Sequence, residues 1–411
     1  MRSSFHSLSS SHQQFLPLSL SLSSLSFPYS SIPTQKLHFC NKKLVAQMSN
    51  PTLNPNPNSD RLKELKEFDE SKIGVKGLVD KGLTTIPSFF IHPSEPPTPE
   101  PKTRPGYKHS IPVVDFSAPR STLVDQIHQA STTLGFFQII NHSVPLEAIN
   151  RIVGSIKTFN EQPDEVKMKY YSRDMSRGVG YSTNFDLYNS RAASWRDTLQ
   201  MRLGPTPPDW EHVPEVCRDV VVEWDKEVVK IGEELMGLLC EGLGVKEDRL
   251  KELSCLDARI MAAHYYPYCP QPELTKGLTS HTDPGVLTVL VQNEVTGLQV
   301  KFGDDWVDLE PIPGAIIINI GDILQIISND EYKSVEHRVL ANPFQEPRVS
   351  VAVFFNPSQR ENSFGPLPEL ISDEKPAVYR EFVFMDYMRR FFSKELDGKT
   401  LTNYYRVSNQ I

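Results

Sequence analysis

The chain has 411 residues, 39% of them hydrophobic, so it can bury a large core as one large domain or a few smaller ones. Its net charge is −8 with both signs interspersed, which excludes a basic surface for nucleic acid. The five cysteines are scattered without CxxC pairs, which is typical of a reducing compartment and disfavours a cysteine zinc site. No apolar run approaches the ~20 residues that a membrane span needs.

The N-terminal leader, residues 1–59, contains no Asp or Glu and is rich in Ser and Leu. This composition is typical of a plastid or mitochondrial transit peptide, although the leader has few basic residues. Met48 is an equally good start, in which case the upstream start codon is mis-assigned. In either case we expect the leader to be disordered and to carry no chemistry. We expect a cytoplasmic protein, or a plastid protein if residues 1–47 are a genuine transit peptide.

Residues 60–110 are predicted to form an N-terminal helix and a proline-rich linker. The helix opens at Asp60 and runs to Gly82, with Leu62, Leu65 and Phe68 at three-residue steps. Residues 111–255 then alternate strands and helices. The predicted elements are the strand Ile111–Phe116, the helix Ser121–Leu134, the strand Gly135–His142 and the long helix Val213–Leu243. His142, at a strand end, is predicted to be structural.

From Asp257 the pattern changes to short β-runs separated by Gly, Pro and Asp turns. Seven strands in about a hundred residues favour a jelly roll. They are Arg259–Tyr266, Thr288–Gln292, Leu298–Lys301, Trp306–Asp308, Ala315–Ile320, Val335–Leu340 and Arg348–Asn356. The predicted fold is therefore mainly β with flanking helices: a double-stranded β-helix (jelly-roll) core over residues 257–358, between a helical and mixed N-terminal region and a C-terminal segment, 359–411. A final helix, Pro376–Leu396, could lie across the barrel mouth.

Two histidines and an aspartate could form a metal site. His281 and Asp283 are two apart, so in an extended strand both side chains project from one face. With the remote His337 they make the ligand set of the two-histidine, one-carboxylate facial triad, which binds non-haem Fe(II) and leaves coordination sites open. Zinc accepts the same ligands, but no HExxH helix is present. The sequence favours iron.

Downstream of His337, Arg348 and Ser350 share one face of a predicted strand. The arginine can hold a dicarboxylate through a bidentate, charge-assisted contact, and the hydroxyl can add a hydrogen bond. The same alternation directs Phe354 and Asn356 toward the cavity and the substrate. Core packing is the alternative role for Phe354.

These residues belong to a series of ordered motifs. They are Tyr265-Tyr266-Pro267-x-Cys269-Pro270-x-Pro272, His281-Thr282-Asp283, Gly297-Leu298-Gln299-Val300, Asn319-x-Gly321-Asp322, Ser334-x-x-His337-Arg338 and Arg348-x-Ser350. In this order the chain resembles the plant 2-oxoglutarate- and Fe(II)-dependent dioxygenases over roughly residues 60–405. The resemblance is closest to the 1-aminocyclopropane-1-carboxylate oxidase homologues, the branch that includes deacetoxyvindoline 4-hydroxylase.

The resemblance implies Fe(II) as the metal, 2-oxoglutarate as the co-substrate and ascorbate as a reductant. It also implies that residues 111–255 are the family's N-terminal region and 257–358 its catalytic domain. Tyr266 would bind the far carboxylate of 2-oxoglutarate together with Arg348 and Ser350. His264 departs from the family pattern, which often has Asn at this position, so a contact from here to the co-substrate is left open.

The implied function is oxidation, with hydroxylation expected, of a small specialised metabolite by dioxygen; desaturation and demethylation are left open. Phe354, residues Tyr181 to Tyr188 and the aromatic final helix favour a flat, apolar substrate such as an alkaloid, phenylpropanoid, benzoxazinoid or terpenoid. No nucleic-acid or membrane partner is expected, and the protein is expected to be a monomer. Two alternatives are an ascorbate-dependent, ethylene-forming 1-aminocyclopropane-1-carboxylate oxidase and a non-catalytic jelly-roll binding protein.

Overall fold

The computed structural model describes residues 57–93, 110–392 and 400–407; the predicted leader up to residue 56 and most of the proline-rich linker lie outside these ranges. The helices are α1 Pro57–Ser71, α2 Gly74–Asp80, α3 Arg120–Thr133, α4 Leu146–Asn160, α5 Asp164–Lys167, α6 Arg218–Gly242, α7 Arg249–Glu252, α8 Asp322–Ile327, α9 Phe384–Phe392 and α10 Thr400–Tyr404. The strands are β1 Val113–Asp115, β2 Phe136–Ile140, β3 Val179–Ser182, β4 Asp197–Gly204, β5 Ala258–Tyr266, β6 Lys276–His281, β7 Leu287–Gln292, β8 Leu298–Phe302, β9 Asp305–Asp308, β10 Ile316–Ile320, β11 His337–Leu340, β12 Arg348–Asn356, β13 Ser363–Phe364 and β14 Phe382–Val383.

Two sheets form the core, one of eight strands in the order β1-β2-β10-β7-β12-β5-β4-β3 and one of four in the order β6-β11-β8-β9. Phe136, Tyr266 and Ile317 of the larger sheet pack with Leu278 and Val300 of the smaller in one buried cluster. This is the predicted jelly roll. The strands β1 to β4, from residues 111–255, complete the same sheet as the strands from 257–358.

The other face of the larger sheet is covered by helices. α6 buries Val221, Trp224, Val228 and Ile231 at three- and four-residue spacing, the pattern of a helix with one apolar face. A Cβ on Gly232 would lie 2.5 Å from the Phe355 ring of β12, so only glycine lets the helix approach the sheet this closely. α6 begins at Arg218, five residues later than predicted.

The strand β12 fixes which side chains face inward. Arg348 pairs with Tyr266 of β5, and Ser350 pairs with His264 on one side and with Gln292 of β7 on the other. Alternation along the strand therefore places Arg348, Ser350, Ala352, Phe354 and Asn356 on the face toward the smaller sheet.

Two strands that position the site, β4 and β6, were not predicted. β4 alternates: Leu199 and Met201 pack into the core against the helices, while Thr198 and Gln200 lie on the other face. β6 has the sequence Lys-Gly-Leu-Thr-Ser-His, which shows no apolar alternation. It becomes a strand because β11 pairs with it.

The predicted helix Asp60–Gly82 is two helices in the structure. The chain turns at Lys72 (φ 56°) and Gly74 (φ 68°), backbone conformations that end α1 and begin α2. The buried Asp197 carboxylate accepts hydrogen bonds from Val75 N and Lys76 N, both 2.8 Å long. A carboxylate on the first N–H groups of a helix stabilises its start, and this long-range contact is not visible in the local sequence.

The predicted helix Pro376–Leu396 is wrong at its start, because the helix α9 begins at Phe384. The backbone before it is held by other contacts: Val378 N donates to Asn329 Oδ1 (2.8 Å), and the Tyr379 hydroxyl donates to Asp330 Oδ1 (2.7 Å). Phe382 lies in β14, paired with β13. These aromatic residues are buried in the core and do not form the helix face.

Candidate functional site

The three predicted metal ligands meet where the smaller sheet ends. His281 is the last residue of β6, His337 is the first residue of β11, and the two are direct cross-strand partners. Asp283 follows in the turn after β6, just past the strand on which it was expected. Its Oδ1 lies 3.5 Å from His281 Nε2 and 3.7 Å from His337 Nε2. All three side chains are buried, and their ligand atoms lie within 4.8 Å of one another.

Both imidazoles are oriented by backbone carbonyls. His281 Nδ1 lies 2.9 Å from Thr279 O, and His337 Nδ1 lies 3.2 Å from Val335 O. A carbonyl only accepts, so each Nδ1 carries a proton and each Nε2 keeps a lone pair directed at Asp283. Burial, and then the neighbouring His281, lower the pKa of His337 to about 4, so its ring is neutral at pH 7. An imidazole whose Nε2 lone pair is free is ready to bind a metal.

The carboxylate of Asp283 is oriented by two polar side chains. Its Oδ2 accepts hydrogen bonds from Thr288 Oγ1 (2.5 Å) and Asn319 Nδ2 (2.8 Å), which leaves Oδ1 facing the histidines. Burial would raise the pKa of Asp283, but the two imidazoles and the Asn319 amide outweigh it and hold the pKa well below its ordinary value. The carboxylate is therefore ionised at neutral pH.

The turn that carries Asp283 is fixed by the motif Asn319-x-Gly321-Asp322. Asp322 N donates to Asp283 O (2.8 Å), and the Asp322 carboxylate accepts from Thr282 Oγ1 (3.0 Å). A Cβ on Gly321 would lie 2.1 Å from Gly285 O, so the turn packs directly on that glycine. The sequence shows this motif without revealing its role, which depends on contacts across 36 to 40 residues.

This donor set fits Fe(II). Two imidazole nitrogens and one carboxylate oxygen occupy one face of an ion and leave its other positions open. The smaller sheet and the turn present all three atoms from one side, which is the arrangement that such a face requires. The surrounding hydrogen bonds hold each ligand through its other polar atom.

Arg348 is a second buried polar group on the inner face of the sheet. It is only 1% exposed, its guanidinium lies 4.9 Å from the centre of the Tyr266 ring, and its Nη1 donates to Ser350 Oγ (3.3 Å). Gln292, which was not predicted, accepts a short hydrogen bond from Nη2, while Nε is buried without a partner. Burial lowers the pKa of Arg348.

Among the described residues, none forms an ion pair with Arg348. A buried guanidinium without a counter-charge is costly unless an anion binds it. Arg348, with Ser350 and Tyr266 beside it, is therefore suited to bind a carboxylate.

A cavity of about 200 Å³ opens beside His281 and Asp283. Phe354 and Asn356 line it, as the strand alternation requires. Apolar and aromatic side chains form most of the remaining wall; they include Phe185, Ile260, Leu278, Met388, Phe391 and Phe392.

Of the expected Tyr181 to Tyr188 segment, Ser182 and Phe185 reach the cavity. Tyr181 instead packs in the core against Phe159, with ring centroids 4.9 Å apart. Tyr188 is exposed and donates to Asp69.

The two remaining histidines of interest differ in position. His264 lines the cavity, and its Nδ1 lies 3.0 Å from Thr198 Oγ1 on the neighbouring strand. Burial, followed by Arg196 and Arg348, lowers the pKa of His264 well below its ordinary value, so its ring is neutral. His142 lies away from the metal ligands, with Nε2 2.9 Å from Gly314 O, which is a structural contact.

Two regions match known families. Residues 258–357 match the 2OG-Fe(II) oxygenase superfamily, and residues 111–218 match the family described as "non-haem dioxygenase in morphine synthesis N-terminal". Together they span the strands and helices that carry the site.

Curated relatives cover most of the chain. The 1-aminocyclopropane-1-carboxylate oxidase homolog 1 of Arabidopsis thaliana is 44% identical over 356 residues, which is 85% of this chain and 97% of the relative. Homolog 4 of the same plant is 45% identical over 350 residues, 84% and 99% of the two chains. No helix within the described residues is long and apolar enough to cross a membrane.

Solved structures share the fold. The crystal structure of JOX2 in complex with 2OG, Fe and JA superposes with a TM-score of 0.73 at 32% identity, covering 81% of this chain and 97% of JOX2. The rice dioxygenase for auxin oxidation has a TM-score of 0.62 at 23% identity, covering 72% of this chain and 100% of the rice protein. This likeness concerns the fold alone.

Proposed function

This chain belongs to the 2OG-Fe(II) oxygenase superfamily, and we propose that it hydroxylates a small, flat, apolar specialised metabolite held beside His281 and Asp283. The family makes it an oxidoreductase that uses Fe(II) and 2-oxoglutarate. The overall reaction inserts one oxygen atom of O2 into a substrate C–H bond and the other into 2-oxoglutarate, which leaves as succinate and carbon dioxide. The substrate and the residue roles below are our proposal.

His281, Asp283 and His337 would hold the iron. When bound, iron and 2-oxoglutarate supply the oxidising chemistry, so the chain needs no side chain that acts as a general base. The three side chains would occupy one face of the ion. The carbonyls of Thr279 and Val335 keep the imidazoles in the metal-binding tautomer.

Arg348, Ser350 and Tyr266 would hold the far carboxylate of the co-substrate. Arg348 offers a planar set of N–H donors, and its contact with Gln292 fixes the plane of the guanidinium. The hydroxyl of Ser350, next to Nη1, adds a further hydrogen bond. This grip would orient the other end of the co-substrate toward the metal ligands.

Phe354 and Asn356 would contact the substrate. The cavity wall is mostly aromatic and apolar, and its volume of about 200 Å³ limits the ligand to a small molecule. JOX2, which has the same fold, was crystallised with the small molecule JA. These observations support a small apolar metabolite, which the described apolar wall would shield from water while one C–H bond is positioned at the metal.

The observation that carries the proposal is the combination of a metal-ligand cluster with the buried Arg348, which has no ion-pair partner within the described part of the chain. The direct test is anaerobic absorption spectroscopy of the protein with Fe(II), before and after 2-oxoglutarate is added. We expect a weak visible charge-transfer band only when both are present, because chelation of the keto acid at iron produces it. Iron binding without the band would contradict the co-substrate role, and failure to bind iron would contradict the metal site.

The names of the Arabidopsis relatives suggest a second candidate, an ascorbate-dependent 1-aminocyclopropane-1-carboxylate oxidase that forms ethylene. Supplying that amino acid with iron and ascorbate, and measuring ethylene, separates the two functions. In our proposal no ethylene forms, and ascorbate acts only as a reductant that keeps iron in the Fe(II) state. Omitting ascorbate should therefore slow turnover without removing the need for 2-oxoglutarate.

A further inference from the structure

Two guanidinium groups lie in the wall of the cavity: that of Arg173, which is paired with Asp69, and that of Arg196. Arg196 is 3% exposed and immediately precedes β4. Its Nη1 donates to Gly277 O (3.0 Å), and its Nε is buried without a partner. Among the residues that the structure describes, none forms an ion pair with it. Arg196 is thus a buried cation facing an otherwise mostly apolar cavity.

The neighbouring carboxylate does not neutralise Arg196. Asp197 accepts hydrogen bonds from Val75 N and Lys76 N, both 2.8 Å, and from Thr183 Oγ1 (3.2 Å). Successive strand residues point to opposite faces, so Asp197 faces α2 while Arg196 faces the cavity. Burial lowers the pKa of Arg196, because it removes the charge from water, while Tyr266, Asp186 and Asp197 act in the opposite direction without forming an ion pair with it.

The co-substrate does not require this cation. 2-Oxoglutarate has two carboxylates, and in the proposed function one reaches the metal while Arg348 holds the other. Arg196 is bonded to β6 at Gly277, four residues before His281, a span of about 13 Å between α-carbons at the usual strand rise. In the proposed function Arg196 is not one of the groups that hold the co-substrate, so this guanidinium is available for another anion.

We propose that Arg196 binds a carboxylate of the substrate, so that the enzyme acts on a flat, apolar carboxylic acid. This inference rests on the proposed function and narrows its substrate class. The guanidinium makes a bidentate contact with the carboxylate. The apolar body of the acid lies along the cavity against Leu278 and Phe354, and the carbon to be oxidised lies near His281 and Asp283.

The test compares a library of aromatic and terpenoid carboxylic acids with their own primary amides, for example cinnamic acid with cinnamamide. The acid and the amide of each pair have nearly the same shape and differ in charge. Binding is measured by ultrafiltration and mass spectrometry on the full-length protein loaded with Mn(II) and 2-oxoglutarate, conditions that separate binding from turnover. We expect the wild-type protein to retain acids about 10- to 100-fold more tightly than their amides, the effect of a charge-assisted bidentate contact.

Variants assign the preference to Arg196. Arg196→Gln should remove the preference for acids, and Arg196→Lys should keep part of it because the charge remains. Arg202→Gln is the matched control, since Arg202 lies on β4, the strand that Arg196 precedes, donates to Thr206 O and does not line the cavity. The affinity for 2-oxoglutarate, measured in the same samples by calorimetry, should be the same in all four proteins.

Three results would overturn the inference. Wild-type protein that binds 2-oxoglutarate but shows no preference for acids leaves the proposed function standing and removes the role of Arg196. A loss of 2-oxoglutarate affinity in Arg196→Gln equal to its loss of acid affinity assigns Arg196 to the co-substrate. Wild-type protein that binds neither the carboxylic acids nor 2-oxoglutarate contradicts the proposed function itself. If Arg196→Gln does not fold, the comparison of Arg196→Lys with the wild-type protein tests the role of Arg196: an unchanged preference for acids in Arg196→Lys, or a wild-type protein that shows none, would contradict it.

Discussion

At the scale of single residues, hydrogen bonds within the protein determine which atom of each predicted ligand is free to bind a metal. His281 and His337 use Nδ1 on backbone carbonyls, and Asp283 uses Oδ2 on Thr288 and Asn319. Each ligand therefore has one atom fixed by the protein and one left for the metal. These bonds preorganise the site, because side-chain freedom is already lost on folding.

Replacing His337 by Ala removes one of the three ligands. We expect Fe(II) binding and iron-dependent turnover to be abolished, while the unfolding temperature changes by only a few degrees because His337 is the first residue of β11 and lies at the end of the smaller sheet. Metal content by atomic absorption and a thermal melt measure the two effects. His142→Ala is the control and should keep its iron. Full iron content in His337→Ala would exclude this residue as a ligand.

Arg348→Ala tests the co-substrate contact. The loss of one charge-assisted bidentate contact should raise the 2-oxoglutarate concentration needed for half-maximal activity about 10- to 100-fold. Titration of the charge-transfer band gives this concentration directly. Arg338→Ala is the control, because Arg338 packs 4.1 Å from the centre of the Trp306 ring and contacts Gln299 on the smaller sheet. An unchanged requirement in Arg348→Ala would show that the co-substrate binds elsewhere.

Asn319→Ala removes an amide that orients Asp283 without removing a ligand. We expect the affinity for Fe(II) to fall about 10- to 100-fold, as is usual when a hydrogen bond to a metal ligand is lost. Competition with a chelator measures this affinity, and the exposed Asn362→Ala serves as the control. Metal affinity equal to that of the wild type would mean that Thr288 alone orients the carboxylate.

At the scale of elements, the cavity wall depends on contacts between distant segments. Asp69 of α1 accepts hydrogen bonds from Arg173 Nε (2.8 Å) and from the hydroxyls of Tyr171 (2.5 Å) and Tyr188 (2.8 Å). Arg173 lines the cavity. The N-terminal helix thereby holds the segment that forms one side of the cavity.

Asp69→Ala should therefore loosen that segment. Three acceptor contacts are lost, and we expect an unfolding free energy lower by roughly 1–3 kcal/mol, together with faster proteolysis between residues 173 and 190. Differential scanning calorimetry and limited proteolysis followed by mass spectrometry measure the two effects. Glu70→Ala, on the exposed side of the same helix and paired with Lys66, should match the wild type. A faster cleavage in both variants would mean that α1 as a whole, and not Asp69, restrains the segment.

The elements that the sequence predicted well are those with strong local patterns. The strand β12 was predicted with the bounds that the structure has, because a nine-residue β-branched and aromatic run is bounded by a proline and an Asn-Pro turn. β6 and the true start of α9 were missed, because pairing with β11 and contacts to Asn329 and Asp330 decide them. Long-range contacts override weak local preference at these places.

At the scale of the whole molecule, the start of the chain is open to test. The curated relatives match about 85% of the chain, and the described residues begin at 57. We expect a protein that starts at Met48 to bind iron and 2-oxoglutarate as the full chain does, since every described contact of the site lies downstream. Spectroscopic titration of both proteins measures this. Weaker iron binding in the shorter protein would give residues 1–47 a role in the site.

Two further expectations for the whole protein stay predictions. Light scattering would test whether it is a monomer. Fluorescent fusions that carry or lack residues 1–47 would distinguish a cytoplasmic protein from one imported into a plastid.

The sequence by itself identified the superfamily and the jelly roll, and it predicted the three metal ligands and the dicarboxylate contact, because short ordered motifs and strand alternation carry this information. Only the tertiary structure decided which atoms of the predicted ligands are free to bind a metal and how Asn319 and Thr288 orient Asp283. It also decided that the guanidinium of Arg196 lines the cavity and has no ion-pair partner among the described residues. These properties arise between segments far apart in the chain. A side chain's partners follow from the packing of two sheets and their helices, and no local pattern of residues specifies them.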